Sequence, residues 1–357
     1  MYQAIWGQAH TDNHATVKAA GNTVSLSVVS PLSGKGLKVR FLNKHDKKGF
    51  TILEAIIDTK EGEKPLTFAG KTSVEMPLGK AVESDEVSLT VNKGEKIAVR
   101  FALRGASNSG NTLIEDMKIS ASEGNFVHDH SFKGREKTKT ELKHNMEIVL
   151  PTLEEISLHT EENKRVIVCF GDSITAMCRW TRPLQDRFIR DGQEVSVINK
   201  GIGGNQLLSG PPFFIFKMFG KSGVSRFEND VLKTSGATDL IIALGTNDIV
   251  MNRRFTDELF IDTLKTLVKK AEDRGLEVYV CTIPPRGDKQ FTEKLHAKRR
   301  RINEMIRKEF RYIEYAKGMA LGDDLDTLDP DLALEDLLHP NDKGGLQMAE
   351  IIYEEIK

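Results

Sequence analysis

The sequence predicts an all-β sandwich followed by a doubly wound α/β domain. Three observations carry this reading. Residues 1–150 hold short period-two runs between turn signals. The second half holds continuous apolar runs that alternate with helix-period stretches. Residues 133–164 are charged, with little apolar periodicity before 146–150, and read as the connection, so the expected divisions are a domain at 1–150, a linker at 151–164 and a domain at 165–357. A chain of 357 residues suits two domains at roughly 100–200 residues each.

In the first half the alternation opens at 23–29. Across 36–42, Leu37, Val39 and Phe41 fall on one side and Lys38 and Arg40 on the other. Runs at 50–57, 87–91 and 96–103 follow, separated by Gly, Asn, Lys and Asp. Half-buried strands at such spacing make an antiparallel sandwich. In the second half, 165–170, 195–198, 240–244 and 276–283 are apolar runs, as parallel strands buried on both faces require, and Pro284-Pro285 ends the last. Residues 257–274 place Leu259, Leu264, Leu267, Val268 and Ala271 on one helical face, and 292–310 and 343–357, the latter with Leu346, Ala349, Ile351, Ile352 and Ile356 as its apolar residues, are further helix candidates. Strands alternating with helices give a parallel sheet that binds ligands at its C-terminal strand ends.

Composition narrows the function. Hydrophobic residues at 39% and charged residues at 29% describe a globular chain with real cores. Lys+Arg at 51 against Asp+Glu at 52 leaves a net charge of −1, which argues against a general nucleic-acid binder. Lys298-Arg299-Arg300-Arg301 lies among Glu293, Glu304 and Glu309 and reads as a solvated helix face. No apolar run approaches the ~20 residues of a membrane span. Residues 1–6 show no basic segment leading into an apolar one, so no secretory signal is expected. Cys169, Cys178 and Cys281 are odd in number and confined to one half, which fits a reducing cytoplasm and no disulfide framework. His128-Asp129-His130 sets two histidines on one strand face without further ligands, so no metal is expected.

The chemistry gathers in four blocks. Gly171-Asp172-Ser173 follows the first strand of the second half directly. A serine there can be a nucleophile, or it can cap the helix that follows. Asn199-Lys200-Gly201-Ile202-Gly203-Gly204-Asn205 follows the second strand, Gly245-Thr246-Asn247-Asp248 the third, and Asp336-Leu337-Leu338-His339-Pro340 precedes the final helix. These supply a nucleophile, an open glycine N–H, a side-chain amide and a histidine near a carboxylate, the parts needed for acyl transfer through an oxyanion. Asp172 and Asp248 read as turn-holding carboxylates rather than a catalytic pair.

The four blocks resemble those of the SGNH hydrolases, also called GDSL esterases or lipases, with Ser173, Gly204, Asn247 and His339 at the four positions. The order and spacing match over about 190 residues. The runs 201–208, Ser225-Arg226-Phe227 and Asp230-Val231-Leu232, with 68–74 and Ser84-Asp85 in the first half, are similar to a bacterial subgroup that carries a β-sandwich-like module ahead of the hydrolase. Ala176-Met177-Cys178 departs from the usual first block. The resemblance implies a flavodoxin-like doubly wound sheet and a serine esterase acting on small acyl esters, acetylated carbohydrate first. It implies Ser173, Asp336 and His339 as triad, with the N–H groups of Ser173 and Gly204 and the amide of Asn247 as oxyanion hole. No cofactor is needed, the expected partner is a small-molecule or carbohydrate ester, and the oligomeric state is left open. Two alternatives stand beside it: a carbohydrate-binding protein with a vestigial hydrolase domain, and an acyltransferase using the same triad. Phe213, Phe214 and Phe216, in an apolar loop after the oxyanion block, are expected to help form a wall or rim of the catalytic crevice, with packing on the first domain or a subunit contact as the alternatives.

Overall fold

The computed structural model describes residues 1–12, 18–19, 23–45, 49–105, 109–111, 118–122, 124–129, 135–136, 147–148, 152–210, 218–252 and 255–357. The chain divides into two compact units, Met1–Lys164 and, beyond it, Arg165–Pro212 with Phe219–Lys357.

The first unit is built on β1 (Tyr2–Gly7), β2 (Thr23–Val29), β3 (Gly34–Asn43), β4 (Phe50–Thr59), β5 (Val87–Val91), β6 (Lys96–Arg104) and β7 (Leu153–His159). One sheet runs β1-β7-β3-β5, with Lys80–Glu83 also paired to β3. In the other, β2, β6 and β4 are neighbours, Lys118–Ser122 joins β2, and Gly62–Pro65 and Val74–Met76 join β4. All pairings in these two sheets are antiparallel. The alternation puts Leu37, Val39 and Phe41 of one sheet and Leu26, Ile57, Val99 and Phe101 of the other into a shared core. Phe41 and Phe101 meet edge to face at 5.2 Å between ring centroids.

The stretch read as a linker over 151–164 holds a strand. Leu153–His159 is an inner strand held between β1 and β3. Its Leu153, Ile156 and Leu158 are fully buried, and a register shift falls between Leu153 and Glu155. Glu154 and Glu155 look like solvent-facing residues in the sequence. Both instead pair with Arg40 of β3, at 2.8 and 3.0 Å. The charges and the bulge together hide the period-two pattern.

In the second unit, β8 (Arg165–Gly171), β9 (Val195–Asn199), β10 (Asp239–Ala243), β11 (Glu277–Cys281) and β12 (Tyr312–Ile313) form a parallel sheet in the order β9-β8-β10-β11-β12. This is the flavodoxin-like doubly wound order, with a topological switch at β8. The helices are α1 (Ser173–Ala176), α2 (Thr181–Arg190), α3 (Gly223–Phe227), α4 (Thr246–Met251), α5 (Asp257–Glu272), α6 (Glu293–Glu309), α7 (Tyr315–Gly318) and α8 (Asp342–Ile356). Alternate residues of β8 serve opposite faces. Val168 and Phe170 join Leu264 and Leu267 of α5, whereas Ile167 and Cys169 join Leu184 and Phe188 of α2 and Ile352 of α8.

Three helical residues differ from expectation. The buried face of α5 is Phe260, Ile261, Leu264, Leu267 and Ala271, and Leu259 is exposed. Leu346 of α8 is exposed as well. Arg299 is not on a solvated face: it is buried, donating to the carbonyls of Ile283 and Leu325 and to Asp326. Among the described residues no helix is long and apolar enough to cross a membrane.

Candidate active site

The loops after β8, β9 and β10 all leave the C-terminal edge of the sheet. Ser173 comes two residues after the end of β8 and is the first residue of α1. Asp172 caps that helix, with Oδ1 accepting from Ile174 N–H at 3.0 Å. The serine is therefore relieved of capping, and its Oγ lies 2.8 Å from His339 Nε2. His339 Nδ1 lies 2.6 Å from Asp336 Oδ2. The other oxygen of Asp336 accepts from the N–H groups of Leu338 and His339, both at 3.0 Å. The histidine loop is pinned on both sides: Leu334 N–H donates to His339 O, and Gly287 N–H donates to Leu337 O, each at 2.8 Å.

Burial opposes ionisation of Asp336, but the ring of His339 and the two N–H donors outweigh it, so its pKa is lowered. An ionised Asp336 can only accept. Nδ1 of His339 then carries the hydrogen, and Nε2 is the acceptor facing Ser173.

The second and third blocks are tied to the first by side chains. Asn247 Nδ2 donates to Asn205 O at 3.0 Å and approaches Asp172 Oδ2 at 3.5 Å. Asp248 accepts from Leu207 and Leu208 N–H, at 2.8 and 2.9 Å. Asn199 donates to Thr175 O at 2.7 Å and accepts from Gly201 N–H at 2.9 Å. Gly204 has φ +68°, and a Cβ there would lie 2.6 Å from the Phe219 ring, so glycine is required twice over. Asp172 and Asp248 are both raised to about 7, burial being the main cause in each. The N–H bonds they accept work against that rise. A pocket of about 20 Å3 beside Asp172 has room for little more than one water.

The structure brings Ser173, Asp336 and His339 into one chain of hydrogen bonds and sets Asn247 against Asn205, the neighbour of Gly204. Phe213, Phe214, Phe216 and His130 lie outside the described residues. His128 stands between Glu54 and Glu63, at 2.8 and 3.0 Å. Among the described residues no group of three or more His, Cys, Asp or Glu is arranged to hold a metal. Sequence reasoning passed over the ties that hold the loops, Asn199 and Arg226. For Arg226 a signal existed in Asp230, four residues on, which suits an ion pair along a helix.

The fold is α/β, and this cluster lies at the carboxyl edge of its parallel sheet. Residues 169–345 match the GDSL-like Lipase/Acylhydrolase family. The second unit belongs to that family, and the protein is a hydrolase acting on esters. No curated protein matches the chain. Solved structures of similar fold include a GDSL-like lipase from Bacteroides thetaiotaomicron, 22% identical over 55% of this chain and 88% of that one, TM-score 0.41. A lipase/acylhydrolase from Enterococcus faecalis is 22% identical over 54% and 95%, TM-score 0.44. A carbohydrate acetylesterase from Sinorhizobium meliloti is 18% identical over 54% and 98%, TM-score 0.42.

Proposed function

We propose that residues 165–357 form a serine esterase that works through an acyl-enzyme, and that the sandwich is its accessory domain. The observation that carries this reading is the relay from Ser173 Oγ to His339 Nε2 at 2.8 Å and from His339 Nδ1 to Asp336 at 2.6 Å. Ser173 attacks the ester carbonyl while His339 Nε2 takes the hydroxyl proton. Asp336 orients the ring and stabilises the imidazolium. The carbonyl oxygen becomes an oxyanion held by the N–H groups of Ser173 and Gly204 and by Asn247 Nδ2–H. Collapse breaks the ester bond, and His339 returns its proton to the departing alcohol. Water, deprotonated by the same histidine, then attacks the acyl-serine. A second oxyanion collapses to release the carboxylic acid, and the proton goes back to Ser173. Each step balances with the residues, the ester and water alone.

The substrate proposed is a small acyl ester, an acetylated carbohydrate first, by resemblance to the two-domain relatives. Cys169, Cys178 and Cys281 are buried and form no disulfide, which suits a reducing compartment. The test is a series of p-nitrophenyl esters of increasing chain length run beside acetylated oligosaccharides, with products analysed in the presence of acceptor alcohols. Turnover that falls with chain length and releases free acid supports the proposal. Transfer of the acyl group to the alcohol in preference to water makes the enzyme an acyltransferase. No turnover of any ester, with no labelling of Ser173 by a phosphonate, overturns it.

A further inference from the structure

Arg226, on α3, is 1% exposed and sits between two of the loops that carry the proposed oxyanion donors. Its Nη2 donates to Gly171 O at 2.8 Å, two residues before Ser173. Its Nη1 donates to Lys200 O at 2.7 Å and its Nε to Asn205 Oδ1 at 3.0 Å, so it grips the Gly204 loop on both sides of the glycine. Nη1 also pairs with Asp230 at 3.0 Å, and the guanidinium lies 3.9 Å from the centroid of the Phe170 ring. Asn205 passes the grip onward, since its Nδ2 donates to the carbonyls of Phe219 and Lys221, both at 2.8 Å.

A buried ion pair is a poor device for stability alone, because desolvation offsets much of its attraction and an apolar replacement often serves a core as well. The planar fork of arginine, however, spans several acceptors at fixed angles, which neither an apolar residue nor lysine can do. Three of its four acceptors, Gly171 O, Lys200 O and Asn205 Oδ1, lie on the two segments whose N–H groups must converge on one oxygen. We propose that Arg226 is a positioning residue that fixes the Ser173 and Gly204 N–H groups relative to each other, so that the oxyanion hole is formed before substrate arrives. This rests on the esterase reading above.

The experiment compares wild type, Arg226→Lys and Ser173→Ala on p-nitrophenyl acetate, with active sites titrated by a p-nitrophenyl phosphonate. It also measures inhibition by phenylboronic acid, whose tetrahedral adduct with serine places an oxygen in the hole. For Arg226→Lys, kcat per titrated site should fall about 10- to 100-fold, as a misplacement on the order of 1 Å does, with KM within about threefold. The boronate inhibition constant should rise by a similar factor. A residue with only a structural role would lower the titratable fraction and the melting temperature while leaving kcat per titrated site and boronate affinity at wild-type values, and that result overturns the proposal. Should Arg226→Lys fail to fold, Asn205→Ala removes the Nε contact with Arg226 in place, and the same pair of outcomes decides. A wild type that the phosphonate does not label, or a Ser173→Ala variant that keeps turnover, would refute the esterase reading itself, an outcome separate from an Arg226 effect.

Discussion

Replacing Asp172 by Asn should make the protein's stability less sensitive to rising pH, and the size of the change can be worked from the site. Asp172 is buried, and its carboxyl is raised from 3.8 to about 7, by burial first and by the neighbouring charge of Asp248 as well. Ile174 N–H, Arg286 and Arg226 oppose this rise without cancelling it. Below 3.8 the acid is neutral in both the folded and the unfolded chain and contributes no difference. Between 3.8 and about 7 the folded state holds a proton that the unfolded state has lost, so stability falls as pH rises. Above about 7 the full cost of an ionised buried carboxylate is present. At about 1.4 kcal/mol per pH unit, the span amounts to about 4 kcal/mol. In the Asp172→Asn variant the cap to Ile174 N–H is kept. The new amide faces Asn247 Nδ2, a donor against a donor, which adds a constant offset. The assay is the denaturant midpoint of both proteins from about pH 4 to 8, the window that the raised carboxyl sets. Subtracting one from the other removes the titrating groups that do not couple to Asp172, and the wild type should lose about 4 kcal/mol relative to the variant across that range. Parallel pH profiles would refute the reasoning.

Ser173→Ala should abolish ester turnover with a melting temperature close to wild type, because Asp172 and not Ser173 caps α1; turnover above a few per cent in a clean preparation sinks the assignment. His339→Ala should be nearly as damaging, since nucleophile and base act as a unit, and Asp336→Ala should cost less; kcat values that rank Asp336→Ala below Ser173→Ala count against the relay. Gly204→Ala should lower kcat about 100-fold or more with KM little changed, because the φ of +68° and the 2.6 Å approach to Phe219 force the loop to move; an unchanged kcat would remove Gly204 from the hole. Phe41→Ala should destabilise the sandwich by about 3–5 kcal/mol, as its ring is fully buried against Phe101 and Phe68; a loss under about 1 kcal/mol would show that the core collapses around the gap.

Much of the architecture is written in local periodicity. The runs at 23–29 and 87–91 coincide with strands, and 165–170 and 195–198 each fall one residue short of theirs. Such runs are legible because burial on one or both faces of a strand imposes its own pattern. Leu153–His159 is not legible, because its two glutamates are matched by Arg40, 114 residues away for Glu154, and no local window contains both partners. Arg299 fails for the same reason: its acceptors, Ile283 O, Leu325 O and Asp326, come from two other segments. Blocks carrying Ser173, Asn247 and His339 can be read as motifs because strand-end loops converge in this sheet topology. The ties among those loops cannot, since a side chain bonding to a distant carbonyl leaves no trace in spacing.

The three aspartates around the site show how the roles separate. Asp172 and Asp248 are buried, accept backbone N–H bonds, and are raised to about 7. Asp336 is nearly half exposed in its side chain, touches the His339 ring, and is lowered. A carboxylate that must stay charged to steady an imidazolium needs the second environment. A carboxyl that holds a turn can tolerate the first, because its hydrogen-bond acceptance survives protonation at one oxygen. Environments that push titratable groups apart in pKa mark a division of labour. Here they suit Asp336 to the relay of the proposed mechanism, and Asp172 and Asp248 to holding the loops. An exchange that removes the relay carboxylate, such as Asp336→Asn, should therefore depress kcat at every pH. Asp248→Asn should act mainly on stability, through the N–H groups of Leu207 and Leu208 that it holds. Measured together, kcat and melting temperature would separate the two classes of aspartate. A variant of Asp248 with wild-type stability and lost turnover would reverse the assignment.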